Sequence, residues 1–152
     1  MKRPVSKDLN EFLKPFPDRV RETALFLRRF VLDLYPDCHE LIYDNYNALA
    51  VGFSVSERAG DAFCSIAVYS GHVNFGLNRG AEIGDPLRRF AGSGSLYRRI
   101  RVDSRKEFPQ AYARRMVNRA YRHAIDRLKG KGRTGRGVTV TKSVSSRKRR
   151  PG

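Results

Sequence analysis

The chain has 152 residues, of which 40% are hydrophobic and 11% aromatic, enough apolar content for one domain with a packed core. Lys and Arg total 31 against 15 Asp and Glu, so the formal net charge is +16 and polyanionic partners are favoured. No apolar run approaches the roughly 18 residues of a membrane-spanning helix, and the N-terminus lacks the apolar segment of a secretory signal, so we expect a cytoplasmic protein without membrane contact.

The predicted elements begin with a short amphipathic turn over residues 8–14 and a long helix. Pro17 and Asp18 form a helix start signal, and apolar residues then recur at spacings of three and four: Val20, Ala24, Leu27, Val31 and Leu34. The helix is expected to end before Pro36, because proline disfavours helical geometry in the preceding residue. Its single apolar face predicts that it docks on a core.

Four short runs rich in Val, Ile, Phe and Tyr follow, and they predict an antiparallel meander: ELIYDNY, ALAVGFSVS, AFCSIAVYS and HVNFGL. A short helix is predicted over 86–92, then a glycine-serine loop, and then a fifth strand, LYRRIRV. A last helix is predicted from Ser104 to Leu128. Helices at both ends of the strands predict an α+β fold, with an antiparallel five-stranded sheet packed against N-terminal and C-terminal helices.

The C-terminal segment reads KGKGRTGRGVTVTKSVSSRKRRPG, with nine basic residues, no acidic one and little apolar content. We therefore expect a folded domain over 1–128 and a disordered basic tail over 129–152, whose deletion leaves the melting temperature nearly unchanged. Such a tail would contact nucleic-acid phosphates without reading bases, or serve only as a solvated extension. The predicted nucleic-acid-binding residues are Lys129, Lys131, Arg133, Arg136, Lys142, Arg147, Lys148, Arg149 and Arg150.

The segment 74–102, NFGLNRGAEIGDPLRRFAGSGSLYRRIRV, resembles the YdhG-like domain family, a family of unknown function. Members show Gly-Ala-x-x-x-Asp-Pro and then a Gly-Thr-Gly-Lys-x-x-Arg-His segment that enters a strand. The residues that match are Gly80, Ala81, Asp85, Pro86, Gly92, Gly94 and Arg98, and those that depart are Ser93, Ser95 and Arg99. The likeness covers about residues 10–128.

The resemblance implies a compact α+β sandwich similar to frataxin and, for some members, an iron-chaperone role. Iron binding of the frataxin type needs clustered oxygen ligands. On the first long helix, however, arginines lie between the acidic residues, which are Asp18, Glu22 and Asp33. We therefore expect no metal site and no cofactor here. An iron chaperone by family analogy stays the second alternative function.

The glycine-serine loop favours binding of a small anion. Two glycines allow backbone N–H groups to converge, and serine and arginine side chains add donors that suit phosphate or carboxylate. The leading hypothesis is a non-enzymatic binding domain for a small polar or anionic ligand, held between the sheet and residues 80–99 by Asn74, Arg79, Gly80, Gly92, Ser93, Gly94, Ser95, Arg98 and Arg99. Alternatively, the glycines only make a tight connection, and one arginine binds a carbonyl or pairs with Asp85 or Asp103.

No constellation for catalysis is visible. The three histidines, His39, His72 and His123, lie in different predicted elements. Cys38 and Cys64 lie outside any CxxC or Cys/His cluster and are expected to be buried thiols. A Gly-x-Ser-x-Gly nucleophile elbow is absent as well, so no enzyme is expected.

Overall fold

The computed structural model describes residues 2–128 and 136–148. In chain order the elements are α1 (Lys7–Leu13), α2 (Asp18–Leu34), β1 (His39–Asp44), β2 (Leu49–Ser54), β3 (Ala62–Val68), β4 (Val73–Leu77), α3 (Gly80–Ile83), β5 (Arg98–Val102), α4 (Gln110–Leu128) and β6 (Thr139–Val144). Short 3-10 turns lie at Ala59–Asp61 and Arg105–Glu107. Helices and one mixed sheet confirm the predicted α+β class.

The two N-terminal helices form where the sequence predicts them. Ser6 caps α1, since its hydroxyl oxygen accepts from the Leu9 backbone N–H at 3.1 Å. α2 begins after Pro17 and ends at Leu34, and the N–H of the next residue, Tyr35, donates to the Val31 carbonyl at 2.9 Å. The apolar stripe of α2 is buried, as expected for a helix that docks on a core.

The strands lie in the order β5-β4-β3-β2-β1-β6, and β1 to β5 pair antiparallel with their sequence neighbours. α2 packs on β3 and β4, and α4 packs on β3. The core between sheet and helices is rich in aromatic side chains. The rings of Phe30 and Phe75 each meet that of Phe108 edge to face, with centroids 5.0 and 5.2 Å apart.

The sixth strand corrects the predicted five-stranded antiparallel sheet. β6 pairs with β1 in parallel, Leu41 opposite Val140, and a register irregularity follows Ile42. The segment 136–148 was expected to be disordered because it has little apolar content. It is ordered instead by backbone pairing with β1 and by polar contacts. The rest of the predicted tail, 129–135 and 149–152, lies outside the described residues.

Two buried carboxylates of β1 hold the C-terminal segment. Glu40 is 0% and Asp44 is 1% exposed. The Thr139 hydroxyl donates to Glu40 Oε1 at 2.8 Å, and Lys148 Nζ lies 2.9 Å from Asp44 Oδ2. On its other side Glu40 binds Arg28 of α2, whose Nε lies 2.6 Å from Oε2. The C-terminal segment therefore supplies polar partners to carboxylates that burial would otherwise destabilise.

Two predicted boundaries also change. The short helix expected over 86–92 lies earlier, at α3, and residues 85–90 form a loop around the Asp85 carboxylate. The last helix begins at Gln110 and not at Ser104, because Pro109 keeps Phe108 extended. The Pro109 carbonyl then accepts from the Ala113 N–H at 2.8 Å and opens the helix.

Deletion of residues 129–152 is now expected to lower the melting temperature by about 5 °C or more. It removes the strand paired to β1 and the hydroxyl bound to Glu40, and loss of a hydrogen bond to a buried charged group costs about 1.5–3 kcal/mol. Differential scanning calorimetry measures the change. Removal of 149–152 alone is the control, and an unchanged melting temperature in the longer deletion would contradict the role of β6.

Acidification is expected to destabilise the fold through His39. Burial lowers the pKa of His39 below its usual 6.5, nearby Arg3 lowers it further, and Glu57 acts in the opposite direction. Its Nδ1 accepts the Val138 N–H at 3.3 Å, which requires the neutral ring. The unfolded chain therefore takes up the proton first, and stability is lost as pH falls below about 6.5.

The measurement is the melting temperature between pH 7.5 and 5. His39→Asn keeps a hydrogen-bond acceptor but has no titrating ring, so the melting temperature of this variant should fall less over this pH range than that of the wild type. Burial also lowers the pKa of His72, and His72→Asn is the matched control that measures the contribution of His72 to the pH dependence. Identical pH profiles for wild type and His39→Asn would contradict the assignment.

Candidate functional site

Three of the nine residues predicted to bind a small anion lie on strands, and they are divided between the two faces of the sheet. Phe75 and its cross-strand neighbour Ile100 pack into the core on the helix side. Strand alternation therefore places Asn74 and Arg99 on the opposite face, away from the helices. Arg98 lies on the helix side, where it packs against Gly80. That the nine residues bind one ligand together stays a prediction.

The glycine-serine loop has the contacts of a tight connection. Arg98 Nη1 donates to the Gly94 carbonyl at 2.7 Å and to the Tyr97 carbonyl at 2.8 Å. A Cβ at Gly80 would lie 2.7 Å from the Arg98 Cβ, and Gly92 has a φ of +137°, so both positions require glycine. Ser93 and Ser95 are exposed, and Arg79 pairs with Glu82 at 3.3 Å, which leaves little of the expected donor cluster assembled.

Asp85, from the Asp-Pro motif, organises the loop 85–90. Its carboxylate accepts the Phe90 N–H at 2.8 Å and the Tyr112 hydroxyl, and that hydroxyl oxygen accepts the Leu87 N–H at 3.1 Å. Burial raises the pKa of Asp85, but these bonds and the backbone N–H groups of 88 and 89 outweigh it, so the pKa lies below its usual value. The ionised carboxylate thus anchors the loop to α4.

The anchored loop displays two arginines and a leucine to solvent. Leu87 is 58% exposed, and Arg88 and Arg89 are exposed beside it. Arg88 has a φ of +52°, a left-handed conformation that no other non-glycine residue adopts in the described ranges. Such a conformation persists only where its surroundings impose it, and here the Asp85 hydrogen bonds do so.

The outer surface of α4, to which the Asp85 loop is bound through Tyr112, is also basic. The helix carries five arginines and one carboxylate, Asp126, and buries its apolar side against the sheet. Arg119 donates to the Ile83 carbonyl, which fixes α4 to the end of α3, just before the loop. Arg114, Arg115 and Arg122 are exposed and form no ion pair within residues 2–128 and 136–148.

We call these five exposed side chains the arginine face: Arg88, Arg89, Arg114, Arg115 and Arg122. The two loop arginines likewise have no carboxylate partner in the part of the chain that is described. A surface of unpaired guanidinium groups on a helix and a braced loop suits an extended anion with several phosphates. Sequence reasoning missed it, because arginines opposite the apolar side of a helix are typical of any solvated helix surface.

The predicted nucleic-acid-binding tail is partly engaged with the domain itself. Lys148 pairs with Asp44, and Lys142 Nζ donates to the Glu57 carbonyl at 3.1 Å. Arg136 and Arg147 are exposed. The other predicted contacts, at Lys129, Lys131, Arg133, Arg149 and Arg150, lie outside the described residues.

The cysteines are buried, as predicted, and burial raises the pKa of Cys38 to about 12, so its thiol is protonated and a poor nucleophile near neutral pH. His123 lies 2.8 Å from Glu82, far from the other two histidines in sequence. Over the described ranges, no three His, Cys, Asp or Glu side chains come together as metal ligands. Nor does any helix there combine the length and apolar content needed to cross a bilayer.

No family model matches this chain, and no curated protein or solved structure matches it either. The resemblance of residues 74–102 to the YdhG-like family therefore stays a prediction.

Asp85→Ala is expected to destabilise the protein by about 1–3 kcal/mol, because the Tyr112 hydroxyl and the loop N–H groups lose their acceptor. Urea unfolding measures the change. Tyr112→Phe removes one of these bonds and should give a smaller loss. Glu107→Ala, at an exposed carboxylate of a neighbouring turn, is the control. Equal stability of Asp85→Ala and wild type would show that the carboxylate does not anchor the loop.

Proposed function

We propose that this chain is a non-enzymatic domain that binds the phosphate backbone of nucleic acid through the arginine face. The observation that carries the proposal is the set of five exposed arginines, on α4 and the Asp85 loop, without carboxylate partners among the described residues. Guanidinium groups bind phosphate oxygens with two parallel hydrogen bonds, and several such contacts release counterions from the polyanion.

The contacts expected are to backbone and not to bases. Stacking on bases needs exposed aromatic rings, and the exposed large apolar residues in the described ranges are Tyr46, Leu87, Tyr97, Val138 and Val144. Leu87 is the one that belongs to the Asp85 loop. Without an aromatic ring beside the arginines, binding should depend on salt more than on sequence.

This proposal differs in location from the tail hypothesis. Both invoke phosphate, but the arginine face is held by a helix and by the Asp85 loop, whereas Lys142 and Lys148 already bind acceptors of the domain. The iron-chaperone alternative stays a prediction, and Asp18 and Asp33 already pair with Arg21 and Arg29 along α2.

The triple variant Arg114→Gln, Arg115→Gln, Arg122→Gln is expected to bind duplex DNA more weakly and with a flatter salt dependence. Each phosphate contact contributes about 0.9 to the slope of log K against log salt concentration, so loss of three contacts flattens the slope by about 2.7. Fluorescence anisotropy of a labelled duplex across a salt series measures both quantities. Circular dichroism confirms that the variant is folded.

The matched control removes three arginines elsewhere, as Arg58→Gln, Arg101→Gln, Arg147→Gln, and should keep a slope close to the wild type. Equal losses in the two triple variants would indicate that net charge alone drives binding, against the proposal. A variant that lacks residues 149–152 distinguishes this proposal from the tail hypothesis. If that variant loses as much affinity for the duplex as the α4 triple variant does, the result favours the tail.

A further inference from the structure

A cavity of about 470 Å³ lies where three parts of the chain meet. Its walls are the N-terminal residues 2–6, the turn at residues 36–37 and the residues that enter β6, 136–139. The volume falls within the range of about 300–1,000 Å³ that is usual for small-ligand sites. It lies in a different part of the fold from both the glycine-serine loop and the arginine face.

The charged side chains that line this cavity are mainly cationic. Lys2, Arg3 and Arg136 contribute to it, against one carboxylate, Asp37, and Lys2 Nζ also lies 4.0 Å from Asp33 Oδ2 outside it. The Ser6 hydroxyl, which also lines it, uses its oxygen to cap α1 and keeps its hydrogen as a donor. Three positive side chains and a hydroxyl donor favour an anion over a cation or a neutral molecule.

Arg3 has an incompletely bonded guanidinium at this position. Its Nη2 donates to the Pro36 carbonyl at 2.9 Å and to the Cys38 carbonyl at 2.7 Å. Its Nη1 is buried and has no hydrogen-bond partner in the described part of the chain. An unpaired N–H of a charged group is unfavourable in the interior, and because Nη1 is closed to solvent, an acceptor in the adjacent cavity would reach it only after a rotation of the guanidinium.

We propose that this cavity binds a small oxyanion, such as phosphate or a carboxylate-bearing metabolite, with Arg3 and Arg136 as its charged donors. Arg3 is held in place by the two carbonyls of the turn after α2. Arg136 also lines the cavity. The next residue, Gly137, runs so close to that turn that a Cβ there would lie 2.2 Å from the Cys38 carbonyl oxygen.

Binding at this place would link the two ends of the chain. Residues 2–6 and 136–139 are far apart in sequence, and both contact the Arg28 and Glu40 pair, through the Pro4 carbonyl and the Thr139 hydroxyl. An anion bound between these two segments stabilises the state in which β6 is paired with β1, relative to a state in which the two strands have separated. Occupancy should therefore slow hydrogen exchange at the β6 amides.

The test is a titration of the full chain with inorganic phosphate against chloride at constant ionic strength, followed by amide chemical shifts. We expect saturable shifts at Gly137 and Thr139, and a Kd that rises about tenfold or more in Arg136→Gln, because a charge-assisted hydrogen bond is lost. Arg147→Gln removes the same charge from the same segment outside the cavity and should leave the Kd unchanged.

Three results would overturn the proposal. These are equal Kd values for wild type and Arg136→Gln, the absence of saturable shifts, and shifts confined to residues 92–95 or to the arginine face. Arg136 is the primary target because Arg3 also binds two carbonyls of the fold, and its loss could unfold the N-terminus. Duplex binding by Arg136→Gln at wild-type affinity would further show that this cavity is separate from the nucleic-acid surface.

Discussion

The fold depends on one buried ion pair between α2 and β1. The Arg28 and Glu40 side chains are 1% and 0% exposed, and their charges are tolerable only because each has further partners. Arg28 Nη2 donates to the Pro4 carbonyl at 2.9 Å, and Thr139 donates to Glu40. The pair thereby fixes the N-terminal residues, the long helix, the first strand and the last strand against one another. Removing one partner would leave a buried charge, at a cost of about 3–5 kcal/mol.

The same constraint explains why the surface charge is uneven. Glu40 and Asp44 are buried beside the C-terminal segment, and Asp85 is partly buried at the base of its loop, so these three carboxylates have little effect on exposed arginines. Along α2, Asp18 and Asp33 pair with neighbouring arginines. On α4 the arginines outnumber the single carboxylate, Asp126, and their positive charge is not neutralised locally. α4 and the braced loop therefore expose arginines to a polyanion, while nine further basic residues, with no acidic one among them, lie within residues 129–152.

The elements that the sequence predicts well are those with strong apolar periodicity: α2 and the strands β1 to β5. β6 was not predicted, although Val138, Val140 and Val144 recur with the period of a strand, because the segment around them is rich in glycine and basic residues. Its stability comes from backbone pairing and from carboxylates almost a hundred positions earlier, which leave no local signal. The Asp-Pro motif was recognisable, but the contact between Asp85 and Tyr112 joins two distant segments and has no local signal. For the same reason the N-terminal cavity was not foreseen, since Arg3 and Arg136 lie at opposite ends of the chain.

The central claim is that a surface on α4 and the Asp85 loop, and not the C-terminal tail, contacts nucleic acid. The most direct measurement is a two-dimensional amide NMR titration of the full chain with a short DNA duplex at low salt. The account predicts that the largest shifts fall within residues 85–90 and on the outer side of α4, from Arg114 to Arg122. Shifts confined to the C-terminal segment, with α4 and the loop unchanged, would contradict it.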